Sequence, residues 1–333
     1  MRHVPDDTPI TRLTLPGSHD SAAHSVWSFT GAGFARTQDL SLDQQLRAGC
    51  RFLDLRCRHF ADRLMMHHGC IDLYQTFDDV METISEFLAR HPSEFLVICL
   101  MEEYEAGGDN RLSFAQCVEQ YLSPHADMFY RAPDGDDRKL PPSLGAARGK
   151  IVLFRRFGLD AATAGLPSIE LCLHDGARFG EHSCGHDLKV VYNNYYACTS
   201  AEDKIANVDQ ALTRAMQSSD PAHLHFIGTS GYCLSPWYNI STPAYFANVV
   251  NKWLTQKLET ETAASGAALG IVSVDFINVP LARALVRTNF AETFGNDVWI
   301  EADDDLLVQY GGSVVAACCC VCCNCLWCCC PKA

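Results

Sequence analysis

Short apolar runs along this chain alternate with segments in which apolar side chains recur every three to four positions. Runs of strand length lie at 10–15 (ITRLTL), 51–56 (RFLDLR), 63–67 (RLMMH) and 95–100 (FLVICL). Four more lie at 150–154 (KIVLF), 188–192 (LKVVY), 223–228 (HLHFIG) and 269–276 (LGIVSVDF). The clearest helical period covers 76–90, where Phe77, Val80, Met81, Ile84, Phe87 and Leu88 fall on one face. Thr76 and Asp79 have capping-box spacing at its start, and Pro92 stops it. Ser41 with Gln44 opens a second helix that Gly49 closes. Helical patterns also cover 111–121, 202–217 and 243–257.

Eight short strands interleaved with helices predict a closed parallel (β/α)8 barrel of the TIM type rather than an open sheet. Residues 1–310 suit one such α/β domain. The stretches RAPDGDDRKLPPSLG and SGYCLSPWYNISTP read as polar loops, and no internal repeat is visible. After Tyr310, GGSVVAA reads as a linker, so 311–333 is expected to be a linker and a disordered cysteine-rich tail.

The 333 residues are 48% apolar and 20% charged, the balance of a globular domain with a substantial core. The formal charge of -14 argues against nucleic acid, whose binding rests on Lys and Arg neutralising phosphates. It also argues against capture by anionic lipid through a basic surface. No run is long and apolar enough to predict a membrane-spanning helix. MRHVPDDTPI lacks the apolar core of a secretory signal, so a reducing compartment is expected for the scattered cysteines.

In a barrel, side chains at the C-terminal strand ends and in the loops beyond them share one mouth. His19 and Asp20 follow the first strand in LPGSHDS. Asp54 and Arg56 end the second, two apart and so on one side of it. His68 follows the third in MMHHG, where Gly69 would let backbone approach a ligand closely, and Asp275 stands on the last strand in VSVDF. Two imidazoles, a guanidinium and carboxylates at one mouth are what phosphodiester cleavage needs without a metal. One imidazole removes a proton from the attacking hydroxyl and the other protonates the leaving oxygen. The guanidinium steadies the phosphoryl charge, and a carboxylate fixes each imidazole's tautomer.

The motifs LPGSHDS, AGCRFLDLRCR, HHG, HPSEFLVICLMEEYE, RGKIVLFRRF and VSVDFIN, in that order, resemble those of phosphatidylinositol-specific phospholipase C. The likeness is to the small bacterial type built on the catalytic X domain, and it runs from about residue 10 to 290. It implies a distorted TIM barrel that cleaves diacylglycerol from phosphoinositol, with the inositol 2-hydroxyl as nucleophile and a cyclic phosphate as product. It implies His19 as general base oriented by Asp275, His68 as general acid supported by Asp20, and Arg56 on the phosphate, with Asp54 in the same motif. Calcium-dependent animal relatives carry a carboxylate ligand where Arg56 stands, so neither metal nor cofactor is expected. For the headgroup, Arg156 and Tyr195 match sugar-contacting residues. The pattern departs at Met101, where a lysine is common, and at Asn193, where an aspartate is expected. A glycosylated inositol of the GPI type is therefore as open a substrate as phosphatidylinositol. A catalytically silent lipid- or phosphate-binding barrel, and a cysteine-rich metal or redox protein, stand as the rival readings.

Other residues read as ordinary structure: His67 points away from the motif histidine, and His24, His223 and His225 have no motif around them. Tyr232, Trp237 and Tyr238 fit either packing or an interfacial rim. The nine tail cysteines, Cys318, Cys319, Cys320, Cys322, Cys323, Cys325, Cys328, Cys329 and Cys330, lack the paired spacing of zinc ligands. Acylation of several is the favoured reading, since two chains already anchor a protein stably. The expectation is an enzyme held to the cytoplasmic face of a membrane by its tail.

Overall fold

A computed structural model describes residues 1–26, 32–186, 188–234, 241–262 and 266–290. Strands β1 (Thr14–Ser18), β2 (Phe52–Phe60), β3 (Arg63–His68) and β4 (Ile71–Thr76) come first, with helices α1 (Ala32–Ala35) and α2 (Leu42–Ala48) between β1 and β2. Helix α3 (Phe77–Arg90), β5 (Leu96–Glu102), α4 (Phe114–Leu122), α5 (Leu144–Ala147) and β6 (Ile151–Arg156) follow. The second half holds β7 (Ile169–Glu170), β8 (Gly180–Gly185), β9 (Leu188–Asn193), α6 (Ala201–Gln217) and β10 (His223–Gly228). It continues through α7 (Pro243–Lys257) and β11 (Gly270–Val274) to α8 (Val279–Arg287).

Hydrogen bonding orders the strands β7-β6-β5-β2-β1-β11-β10-β9-β8, all parallel except β8. The eight parallel strands curl into a near-closed, distorted TIM-type barrel. Among the described residues, β7 and β8 do not pair with each other. One expected barrel strand has a different role. The run at 63–67 forms β3, but β3 lies antiparallel on the outer half of β2 and carries β4 beyond it. The third strand along the barrel is instead β5, in register with β2 from Phe52↔Val97 to Cys57↔Glu102. Sequence periodicity could not separate the two, because an apolar run marks burial and not its partner's direction.

Strand parity sorts the side chains into an inner and an outer set. The inner files begin apolar at the base of the barrel and turn polar at the mouth. They run Leu15–Gly17–His19 on β1, Phe52–Asp54–Arg56 on β2 and Val97–Cys99–Met101–Glu103 on β5. Val152–Phe154–Arg156 follows on β6, Phe226–Gly228–Ser230 on β10 and Ile271–Ser273–Asp275 on β11. The intervening outward residues, such as Leu53, Leu55, Ile98 and Leu100, pack beneath α2, α3 and α4. Ile227, Val272 and Val274 pack beneath α6, α7 and α8.

The expected helix starts hold. Ser41 and Gln44 form a reciprocal capping box on α2, as do Thr76 and Asp79 on α3. Gly49 ends α2 with φ 118°, a left-handed conformation that glycine adopts without strain. Close packing imposes a different demand at Gly17, where an added Cβ would stand 2.7 Å from the Phe52 ring.

Candidate active site

The polar ends of the inner files open into a cavity of about 520 Å³. His19, Asp54, Arg56, His68, Asp275, Arg156 and Tyr195 line it, bringing together seven side chains spread over more than 250 residues of sequence. His19 stands just beyond β1, its backbone N–H donating to Val274 O at 3.0 Å. Its Nδ1 is 2.7 Å from Asp275 Oδ1. That carboxylate also accepts from Ser230 Oγ at 3.0 Å, and Asn251 Nδ2 donates to the Asp275 carbonyl. Since a carboxylate accepts, Nδ1 carries the proton and Nε2 is left as the basic nitrogen.

Arg56 occupies that nitrogen. Its Nη2 is 2.6 Å from His19 Nε2 and 3.0 Å from Asp54 Oδ2, and its Nε donates to the same oxygen at 3.1 Å. Burial disfavours charge on Asp54, yet the Arg56 guanidinium beside it holds the carboxyl below its ordinary range. Burial likewise opposes the guanidinium, but Asp54, Asp20 and Glu103 outweigh it and keep Arg56 cationic.

The two histidine rings lie 6.2 Å apart between centroids and nearly perpendicular. His68 Nδ1 is 2.7 Å from the Ala35 carbonyl and 3.3 Å from Asp20 Oδ2. A carbonyl only accepts, so Nδ1 is protonated and Nε2 faces the cavity. Burial and then the field of Arg56 lower the His68 pKa below that of an ordinary imidazole.

Asp20 lies behind the cavity wall, wholly buried, with neither carboxyl oxygen hydrogen-bonded among the described residues. Burial pushes its pKa well above the ordinary carboxylate range, against the pull of Arg56. The carboxyl expected to support His68 is thus adjacent to it. The shorter contact is a backbone carbonyl, to which sequence gives no clue.

Two expected ligand contacts lie elsewhere. Asn193 falls on the outward parity of β9 and is fully buried. Its Nδ2 donates to Asn207 Oδ1 and Gly228 O, and its Oδ1 accepts from Gly228 N. The inward file of β9 reaches the cavity with Asn194 instead. Gly69 turns with φ 55° and donates its N–H to Glu103 Oε1 at 2.7 Å, so it braces the His68 turn without lining the cavity.

Arg156 is on the wall, 3.4 Å from Met101 Sδ and 3.8 Å from Asp175 Oδ1. Tyr195 is held by Asp203 at 2.7 Å, and Arg178 covers its ring.

Glu103, Ser230 and Lys204 were not singled out in the sequence. Parity from Cys99 through Met101 would have found Glu103; nothing local marks the other two. Tyr232 lines the cavity and stacks on Tyr196, while Trp237 and Tyr238 fall outside the described residues, as do all nine tail cysteines. His67 is buried and stacks on Tyr104; His24, His223 and His225 do not line the cavity.

The profile of the family "Phosphatidylinositol-specific phospholipase C, X domain" matches residues 13–157. A 1-phosphatidylinositol phosphodiesterase of Listeria monocytogenes is 27% identical over 292 residues, which cover 87% of this chain and 84% of the relative. Another of that name, from Staphylococcus aureus, is 24% identical and covers 73% and 79%. Among solved structures, phosphatidylinositol-specific phospholipase C from S. aureus superposes with TM-score 0.74 at 21% identity, over 87% of this chain and 96% of that one. The L. monocytogenes enzyme gives 0.67 at 24% identity, over 87% and 97%.

Proposed function

From the premise that this chain belongs to the phosphatidylinositol-specific phospholipase C X-domain family, in its bacterial-type branch, we propose that it cleaves inositol phospholipids to diacylglycerol and a cyclic inositol phosphate. The observation that carries the reading is the pair of imidazoles at one mouth, ring centroids 6.2 Å apart, with the Arg56 guanidinium 2.6 Å from His19 Nε2. A phosphodiester offers Arg56 an anionic acceptor better than the neutral His19 Nε2 it holds in the free enzyme. As Arg56 turns to the phosphoryl oxygens, Nε2 is released to take the proton of the inositol 2-hydroxyl. That oxygen attacks phosphorus, the bond from phosphorus to the diacylglycerol oxygen breaks, and His68 Nε2–H protonates the leaving oxygen. Asp275 stabilises the imidazolium forming on His19.

Charge at phosphorus is met by a guanidinium set among Asp54 and Glu103, at 3.0 and 3.7 Å. A cation brought there would face Arg56 at contact distance, so the reaction is taken as metal-independent. Among the described residues, no group of three His, Cys, Asp or Glu side chains is arranged to hold a metal ion. The wall beyond the reacting centre carries Arg156, Tyr195 and the stacked Tyr196 and Tyr232, suited to a polyol ring. Phe34 and Leu234 are exposed at the lip, a surface suited to lipid. The substrate is phosphatidylinositol or its glycosylated GPI form.

Residues 1–310 are taken as the catalytic barrel. Residues 311–333 are taken as a linker and an acylated tail that holds it to a membrane, with the cytoplasmic face as the proposed side. No helix among the described residues is long and apolar enough to cross a membrane.

The test is a side-by-side assay of phosphatidylinositol and a GPI-anchored protein in excess chelator. At least one is expected to be cleaved, and His19→Ala and His68→Ala should each lower kcat by about 10²–10⁴-fold. Failure on both lipids, or activity that appears only with calcium, refutes the proposal.

A further inference from the structure

Lys204 is a charged group on the cavity wall that the proposed chemistry does not use. It stands in the first turn of α6 and is 1% exposed. Its Nζ donates to Tyr195 O at 2.6 Å and to Gly228 O at 2.7 Å, backbone carbonyls beyond β9 and at the end of β10. Among the described residues, no carboxylate lies within 4.0 Å of it; Asp275 at the end of β11 and Asp203 on α6 act from farther away. Cys198, in the loop before α6, is the other titratable group that faces it.

An ammonium buried without a counter-charge is costly, and proteins rarely keep one for structure alone. The backbone here does not require it. Gly228 O already accepts from Asn193 Nδ2 at 3.1 Å, and a neutral side chain could tie the Tyr195 carbonyl as well. What a neutral residue would lack is positive charge and a third N–H. The third N–H of Lys204 has no acceptor among the described residues, and the residue lines the cavity.

Its place in the barrel says which part of a ligand it meets. Arg56 is on β2, whereas Lys204 bridges the ends of β9 and β10, with β1 and β11 intervening along the sheet. With a phosphodiester on Arg56, Lys204 lies toward Tyr195 and Tyr196, where the headgroup ring would sit. We propose that Lys204 is a specificity-determining residue whose ammonium binds a ring oxygen of the polyol headgroup, anchoring it at a second point away from the phosphate. The inference rests on the phospholipase reading of the same cavity and adds the residue that selects the ring.

The experiment uses the full chain and its Lys204→Met variant, with phosphatidylinositol in detergent micelles as substrate. Free myo-inositol, a ring without phosphate, and inorganic phosphate, an anion without a ring, serve as competitive inhibitors. A hydrogen bond from a charged donor predicts that Ki for myo-inositol rises by about 10- to 100-fold in Lys204→Met. Ki for phosphate should move by less than about threefold. Burial lowers the Lys204 pKa to about 8, so in the native chain inositol inhibition should weaken as pH rises through that value. This native measurement decides the matter if the variant does not fold. A Ki for inositol that is flat across that range, equal weakening of both inhibitors, or a fall in kcat with both Ki values unchanged overturns the inference. Cleavage that persists alongside any of those results leaves the phospholipase reading standing; a native chain that cleaves neither phosphatidylinositol nor GPI removes both.

Discussion

At the scale of single residues, the free enzyme holds its groups in a resting arrangement. Arg56 sits on the nitrogen of His19 that must act as base, and its field helps keep His68 neutral although the proposed acid must be protonated. An arriving phosphodiester reverses both, because its negative charge takes the guanidinium and offsets its field at His68. The sign of the pH effect follows. His68 donates a proton, so activity is lost as pH rises through its pKa. In the free enzyme that pKa is lowered, by burial and then by Arg56, below the ordinary imidazole value of about 6.5. The alkaline limb of kcat/KM, which reports the free enzyme, should therefore lie at lower pH than the alkaline limb of kcat, which reports the complex. Profiles measured on micellar substrate would test this, and coincident limbs, or the reverse order, would contradict it. Residue identities were legible to the extent that motifs and parity carried them. His19, Arg56, His68 and Asp275 met as expected. Asn193 did not, because one step along a strand turns a side chain to the other face, and Asn194 holds the inward position.

At the scale of elements, the segment joining α1 to α2 acts as a strap across the catalytic turns. Gln38 is wholly buried, and its Nε2 donates to His19 O at 2.8 Å and Val274 O at 2.9 Å. Its Oε1 accepts from Ile277 N at 3.1 Å. Thr37 Oγ1 donates to His19 O and Asp20 O, and Ala35 O accepts a hydrogen bond from His68 Nδ1–H. One short stretch of chain, through two side chains and one carbonyl, thus fixes the base, the acid and the strand end bearing Asp275. Gln38→Leu removes all three bonds and leaves Ile277 N without its acceptor, while His19 O keeps Thr37 Oγ1 and Val274 O keeps the His19 N–H; it should cost on the order of 1–3 kcal/mol of stability. It should also lower kcat more than it changes KM, since it misaligns His19 with Asp275 and not the headgroup wall. Denaturant unfolding and Michaelis kinetics check both parts; a variant with native stability and kcat would show that the strap is incidental.

Sequence could not reveal this strap, because its contacts join positions up to 239 residues apart. Other elements escaped for a simpler reason. β8, GEHSCG, lies at the sheet edge with no residue buried, so it carries no apolar signal, and β7 is only two residues long. Helix α8 has a signal in Asn278 followed by Pro280, a cap and a first-turn proline, but at nine residues it is shorter than the window over which a helical period stands out.

At the scale of the whole molecule, an acidic enzyme needs some means of staying near a lipid surface, since its net charge of -14 opposes anionic headgroups. The described chain ends at Phe290, which packs against the core and lines a small hollow with Met1, Val4 and Thr14 at the base of the barrel, opposite the cavity mouth. The 27 residues from Ala291 to Ala317 separate it from the first tail cysteine. Fully extended, they could reach about 90 Å, well past the barrel, so an anchor at Cys318–Cys330 need not hold the mouth away from the bilayer. Such a tether would act by raising local concentration and not by orienting the site. Deleting 318–333 should therefore release the protein from membranes and slow cleavage of lipid in vesicles. Activity on detergent-dispersed substrate should stay within about twofold, because dispersed lipid reaches the cavity without a tether. Changing all nine tail cysteines to serine should reproduce the deletion if acyl chains are what the tail contributes. Fractionation and vesicle assays of the two variants distinguish the cases. A truncated chain that still sediments with membranes would transfer the anchoring role to the barrel itself, with Phe34 and Leu234 at the lip as the first residues to substitute.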